Sequence, residues 1–203
     1  MKSDEGTMSS ARARKAVLIV EEPEKIELMA NLERLEILRL LDINPMTESE
    51  LSEKLGMTKA SVGYHLHLLV EADLIKIDKM EAEEHGILQK FYASKAALYV
   101  PDYDRMPDMA KKLFTYLQME RLRGILGMVQ LLEKRTKQSE ISSSLVEELA
   151  SEALGLLATM ARAFERQNTN KDREVIASQL YSRVLVKLMK TEKWKMHLDH
   201  RFR

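Results

Sequence analysis

Apolar residues recur at helical spacing along most of this chain. Leu28, Leu32, Leu35, Leu38 and Leu41 stand four and three apart, with Ile37 and Leu40 widening the stripe. This predicts one amphipathic helix over roughly residues 24–41, opened by Pro23 and stopped at Asn44-Pro45. Thr47 with Glu50 three residues later is a capping box, so a short helix starts there with Leu51 and Leu55 inward. Gly56 supplies a turn and Thr58 caps a third helix, whose buried face is Val62, Leu66 and Leu69. Leu74, Ile75 and Ile77 begin a strand, and Leu88–Ala93 is its return partner. The EAEEHG segment between them is the tip of a hairpin. The apolar run Val17–Val20 predicts an edge strand, and Ser94–Tyr99 a short helix stopped at Pro101.

Beyond Pro101 the pattern predicts three long helices. The first runs from Pro107 to about Lys137 and carries Leu113, Leu117, Ile125, Val129 and Leu132. The second starts at Ser144 or a turn earlier, because Ser144 and Glu147 repeat the capping-box spacing, and it runs through Leu149, Leu157 and Met160 to Phe164. After a loop at Asn168–Asn170, the third spans about Lys171–Trp194 with Ile176, Leu180, Val184 and Leu188 inward. Residues 1–16 have no periodicity and read as a disordered basic tail. The expected organisation is therefore that tail, a helix-turn-helix domain over 17–100, and a helical dimerisation or effector region over 101–203. The fold class is mainly α with one two-stranded β wing.

The segment from Thr47 to Ile77 has the spacing that a helix-turn-helix requires. Two helices crossing steeply need a small residue at the contact and a turn that tolerates positive φ. Ser52 and Gly56 fill those places, and Leu51, Leu55 and Val62 lock the pair. The helix opened by Thr58 then projects its first turns outward, and DNA reading is the commonest use of such a module.

The stretch from Leu32 to Tyr92 resembles the winged-helix domain of ArsR-like transcription regulators. LERLEILRLL at 32–41, with Arg34 before Ile37-Leu38, is similar to the family's first helix. LSEKLGMTKASVGYHLHLLVEADLI at 51–75 is similar to its second and third helices. The likeness is closest to archaeal members with a long helical C-terminal region, and it covers about a third of the chain. It implies a homodimer on an imperfect palindrome in double-stranded DNA, with regulation relieved by a signal. Carried over by position, the DNA-facing residues are Thr58, Lys59, Ser61, Tyr64, His65 and His67. Lys59 suits a phosphate or guanine, and Ser61 and Tyr64 suit phosphate or base-edge hydrogen bonds.

This chain departs from the family in four places. The metal-sensing cysteine pair is absent. Gly63 stands where a small polar residue is usual, and a mid-helix glycine implies close backbone approach. Asp73 replaces the usual glycine at the helix exit, where its side chain tolerates left-handed geometry. Glu81, Glu83 and Glu84 put acid at the wing tip, which repels phosphate, and Lys76, Lys79 and Lys90 on the strands offset it in part.

Charge sharpens this conflict. The 203 residues have zero net charge, yet residues 21–100 hold 16 acidic and 9 basic side chains. A DNA-reading face needs a positive field. The helix over 57–69 has one lysine, two histidines and no acid, so its local field can be favourable, with Arg12 and Arg14 assisting. The acidic balance also supports an alternative, a winged helix used for protein contact in a transcription complex.

The absence of cysteine excludes disulfides, iron–sulfur clusters and thiolate chemistry. No phosphate-binding glycine loop, HExxH or GxSxG motif is present, so no catalytic residue, cofactor or metal is assigned. His197 and His200 share a helical face near the C-terminus, but a frayed tail is the preferred reading. The lysines and arginines over 187–203 complement a helix end, and Gly124 and Gly127 admit a neighbouring helix. Apolar runs fall short of the ~20 residues needed to span a bilayer, and residues 1–16 lack a secretory segment, so a cytoplasmic protein without membrane contact is expected. Its expected partners are DNA, a second copy of itself and an effector.

Overall fold

The computed structural model describes residues 14–82, 88–132, 142–192 and 194. Its elements in chain order are β1 (Arg14–Val20), α1 (Pro23–Met29), α2 (Leu32–Ile43), α3 (Glu48–Leu55), α4 (Lys59–Glu71), β2 (Ile75–Ala82), β3 (Leu88–Ser94), β4 (Ala96–Pro101), a 3₁₀ turn at Tyr103–Arg105, α5 (Asp108–Leu132), α6 (Ser143–Ala161), β5 (Asn168–Thr169) and α7 (Arg173–Met189). The described part is mainly helical, and none of its helices is long and apolar enough to cross a membrane.

The sheet topology corrects two expectations. β1 is a central strand, not an edge: it pairs in parallel with β4, from Lys15 opposite Ala96 to Val20 opposite Pro101, and antiparallel with β5. β4 occupies most of the stretch where a short helix was expected. A parallel partner needs a long crossover, and here α1–α4 with β2 and β3 form it. The sheet is covered on both faces. Val17, Ile19, Leu98 and Val100 pack with α6 and α7, whereas Leu18, Val20 and Tyr99 pack with the helix-turn-helix core. Burial on both faces gives an unbroken apolar run in place of alternation. β1 also begins at Arg14, so the last three residues of the stretch expected to be a disordered tail belong to a strand.

The single helix expected over 24–41 is two helices. Asn31 breaks it by turning its side-chain oxygen onto the backbone N–H of Arg34, 2.9 Å away, and so caps α2. Arg34 Nε closes the joint by donating to the carbonyl of Leu28. The break rotates the stripe, and Leu32 is left 60% exposed.

Two buried cores result. One lies between the sheet and α6 and α7. The other joins α1–α4 with Leu74, Ile75, Met106 and Ala110. Tyr103 and Phe114 pack against both. The cap of α6 is Ser142, which accepts from Leu145 N and lies within the turn before Ser144 where the start was expected. α6 ends at Ala161, short of Phe164, and β5 lies within the expected loop at Asn168–Asn170. A Cβ added at Gly124 or Gly127 meets nothing within 4 Å among the described residues, so no described helix packs closely on either. The far end of the expected first C-terminal helix, Glu83 and Glu84, and the histidines at 197 and 200 lie outside the described residues.

One ion pair ties the helix-turn-helix to the sheet. Arg14 on β1 donates from Nε to Asp42 Oδ1 on α2 at 2.6 Å, and Asp42 is buried. Burial pushes the Asp42 carboxyl above its usual range and outweighs the guanidinium that pulls it down. Stability linked to Asp42 is therefore fully present below its unfolded pKa and is lost as pH rises through the folded one. Arg14→Ala strands the carboxylate, which is expected to cost about 3 kcal/mol near neutral pH. The deficit should shrink as pH falls and Asp42 takes up a proton. Urea midpoints of wild type and variant at neutral and mildly acidic pH check this, and an equal deficit at both would contradict it.

Candidate nucleic-acid interface

Local signals build the helix-turn-helix. Thr47 accepts from Glu50 N at 3.2 Å, and Glu50 Oε2 accepts from Thr47 N at 2.7 Å, which completes the capping box. Gly56 ends α3 at φ 63°, a left-handed geometry that glycine adopts without penalty. Ser52 does more than stay small: its hydroxyl donates to the carbonyl of Met57 at 2.6 Å and fastens the turn. Thr58 then caps α4 by accepting from Ser61 N. Val62, Leu66 and Leu69 are buried beneath α4.

The exit of α4 is fixed as firmly. Asp73 takes φ 61° and pairs with Lys95. The Tyr99 hydroxyl donates to the carbonyl of Leu74, lies 2.8 Å from Ser94 Oγ, and accepts from Lys95 N at 3.1 Å. A side chain of the sheet thus holds the first residues after α4.

Five of the six residues named from sequence lie along the open side of α4. Thr58, Lys59, Tyr64 and His67 are exposed, and Ser61 is half-buried beside them. Lys59 pairs with no carboxylate among the described residues. His67 lies 3.4 Å from Glu71, four residues on.

His65 departs from that strip. It is half-buried, and its Nδ1 is buried without a hydrogen-bond partner. Burial, and then the charge of Arg34, hold its pKa below the usual value, while Glu33 opposes them. The ring therefore turns toward the start of α2 and stacks edge-on against Tyr64, with centroids 5.6 Å apart. It acts as packing beneath the strip.

Gly63 does allow a close approach, but by a side chain. A Cβ there would meet Glu48 Oε2 at 3.0 Å. The sequence signal for Glu48 was the glycine itself, whose partner no local pattern names.

β2 and β3 form a separate antiparallel pair, with an irregularity between Ile77 and Lys79. Two strand lysines are engaged within it. Lys76 lies 3.8 Å from Asp78; Lys79 donates to Glu81 at 2.6 Å and sits 4.2 Å above the Phe91 ring. Lys90 is exposed and has no carboxylate partner among the described residues.

Comparison with known proteins agrees with this geometry. Residues 29–78 match the family model of a helix-turn-helix domain. The match begins at the end of α1 and closes within β2, so the chain carries a helix-turn-helix domain. It is also similar to the HTH-type transcriptional regulator TcaR of Staphylococcus aureus, strains Newman and COL. Identity is 27% over 110 residues, 53% of this chain and 72% of the relative.

The depressed pKa of His65 makes a test of its placement. Its linked stability is fully present above its unfolded pKa of ~6.5, and is lost as pH falls through the lower folded value. Between neutral pH and about pH 5.5 the thermal midpoint of wild type should fall more than that of His65→Leu, measured by circular dichroism. Parallel curves would show that the imidazole is freely solvated.

Proposed function

We propose that the protein is a DNA-binding transcription regulator of the ArsR-like winged-helix type, acting as a homodimer on a palindromic operator. The observation that carries this is the exposed face of α4. Thr58, Lys59, Ser61, Tyr64 and His67 form a strip with no acid before Glu71, at the N-terminal end of the second helix of a helix-turn-helix. That end of such a helix meets base edges in the major groove. The β2–β3 pair is the wing of this reading. With Lys76 and Lys79 engaged by acids, Lys90 is the wing lysine left to meet phosphate, and the helix makes most contacts.

An electrophoretic shift with the DNA upstream of the protein's own gene tests the function. Lys59→Ala should weaken binding and lower the salt slope by about 1 if Lys59 meets a phosphate. A folded wild type that binds no DNA at low salt would favour the protein-contact alternative, which the acidic balance of residues 21–100 supports.

A dimer supplies the second reading helix, one DNA turn of ~34–36 Å away. The C-terminal helices leave large apolar side chains on their outer faces: Met109 and Tyr116 on α5, and Val175, Val186 and Met189 on α7. Sedimentation of the full chain at micromolar concentration should give a dimer, and a monomer there would overturn the homodimer.

A further inference from the structure

A second feature stands apart from the α4 strip. Between the helix-turn-helix and the C-terminal helices lies a cleft of about 510 Å³, within the range of small-molecule sites. Its floor is β4, with Leu98, Tyr99 and Val100. Leu35 and Leu38 of α2 form one wall, and Phe114, Leu154 and Leu157 of α5 and α6 form the other.

Its charged groups are mainly basic, and one of them, Arg173, pairs with Glu174 at 2.7 Å. Arg39, Arg121 and Arg173 line it against a single acid, Glu36. Glu36 is engaged by Arg39 through two bonds of 2.6 and 2.8 Å. Arg121 pairs with no carboxylate among the described residues, and its guanidinium lies 4.3 Å above the Tyr181 ring. Gln118 is the sharper signal. It lines the cleft, is only 4% exposed, and forms no hydrogen bond with any described residue. Its amide is open to the cleft and free to bond a ligand's polar group.

We propose that this cleft binds a small organic acid, a carboxylate on an aromatic or aliphatic body. The body fills the apolar walls in place of water. The carboxylate meets the Arg121 guanidinium, and the Gln118 amide N–H donates to one of its oxygens. A neutral apolar ligand would leave Arg121 without a counter-charge.

The cleft also touches the reading helix at one remove. Tyr99, part of its floor, is the residue whose hydroxyl holds the Leu74 carbonyl at the exit of α4. A ligand that shifts the Tyr99 ring moves that anchor. This last step rests on the DNA-reading function proposed above, whereas binding of the acid does not.

Isothermal titration of the full chain without DNA tests the binding. The probes are 2-naphthoate and octanoate, with 2-naphthalenemethanol as the uncharged control. One equivalent of acid per chain is expected, bound at least about tenfold more tightly than the alcohol. Arg121→Ala should abolish that preference, and Gln118→Leu should weaken the acid about tenfold. Arg121 is exposed and Gln118 bonds no described residue, so both variants should keep the wild-type thermal midpoint, which circular dichroism checks. Absence of saturable binding by both acids, equal affinity for the alcohol, or an unchanged preference in Arg121→Ala would each overturn the proposal. Because no DNA is present, any of these results would leave the α4 function standing.

Discussion

The parallel pairing of β1 with β4 is the constraint on which the rest depends. Two parallel neighbours cannot be joined by a tight turn. The chain between them must leave the sheet and return, and the whole helix-turn-helix is that excursion. Both its ends are therefore clamped in one sheet, through Val20 at the entry and Ala96 at the return. Arg14 on Asp42 and the Tyr99 hydroxyl on Leu74 add two polar fastenings across the same seam. The helix-turn-helix is built into the sheet and is not tethered by a linker.

That arrangement sets how α4 is presented. Its start is fixed by the Gly56 turn, the Ser52 hydroxyl and the Thr58 cap, all from nearby sequence. Its end is fixed from far away, by Lys95 and Tyr99. A rigid strip with one local and one distant anchor is a suitable lever, since a change at the distant anchor reaches it without disturbing the turn. Tyr99 thus touches both the cleft and the anchor that follows α4.

What the sequence reveals follows the range of the interactions. α3 and α4 are legible because capping boxes, a turn glycine and i, i+4 spacing are written within a few residues. Left-handed Asp73 is legible for the same reason. β4 is not: Ala96-Ala97-Leu98 has nothing against helix, and only its distant partner β1 makes it a strand. The break at Asn31 is hidden because leucine spacing continues across it, and the competing cap at Arg34 shows only in three dimensions. His65 follows Ser61 by four residues and reads as part of the strip. It turns inward because α2 stands beside it, a fact of packing outside local pattern. Gln118 carries no signal at all, since a glutamine on a helix is ordinary until its burial is known.

The order of the strands also bears on how the molecule comes into being. β1 leaves the ribosome first, yet its neighbour β4 lies about eighty residues later and β5 later still. The α3–α4 pair is held mainly by nearby residues and can close while synthesis continues. The Val17 and Ile19 face of β1 meanwhile waits until α6 and α7 arrive to cover it. Of the three strands of this sheet, the one made before the others completes its pairing last, and that interval is when the nascent chain is most exposed to aggregation.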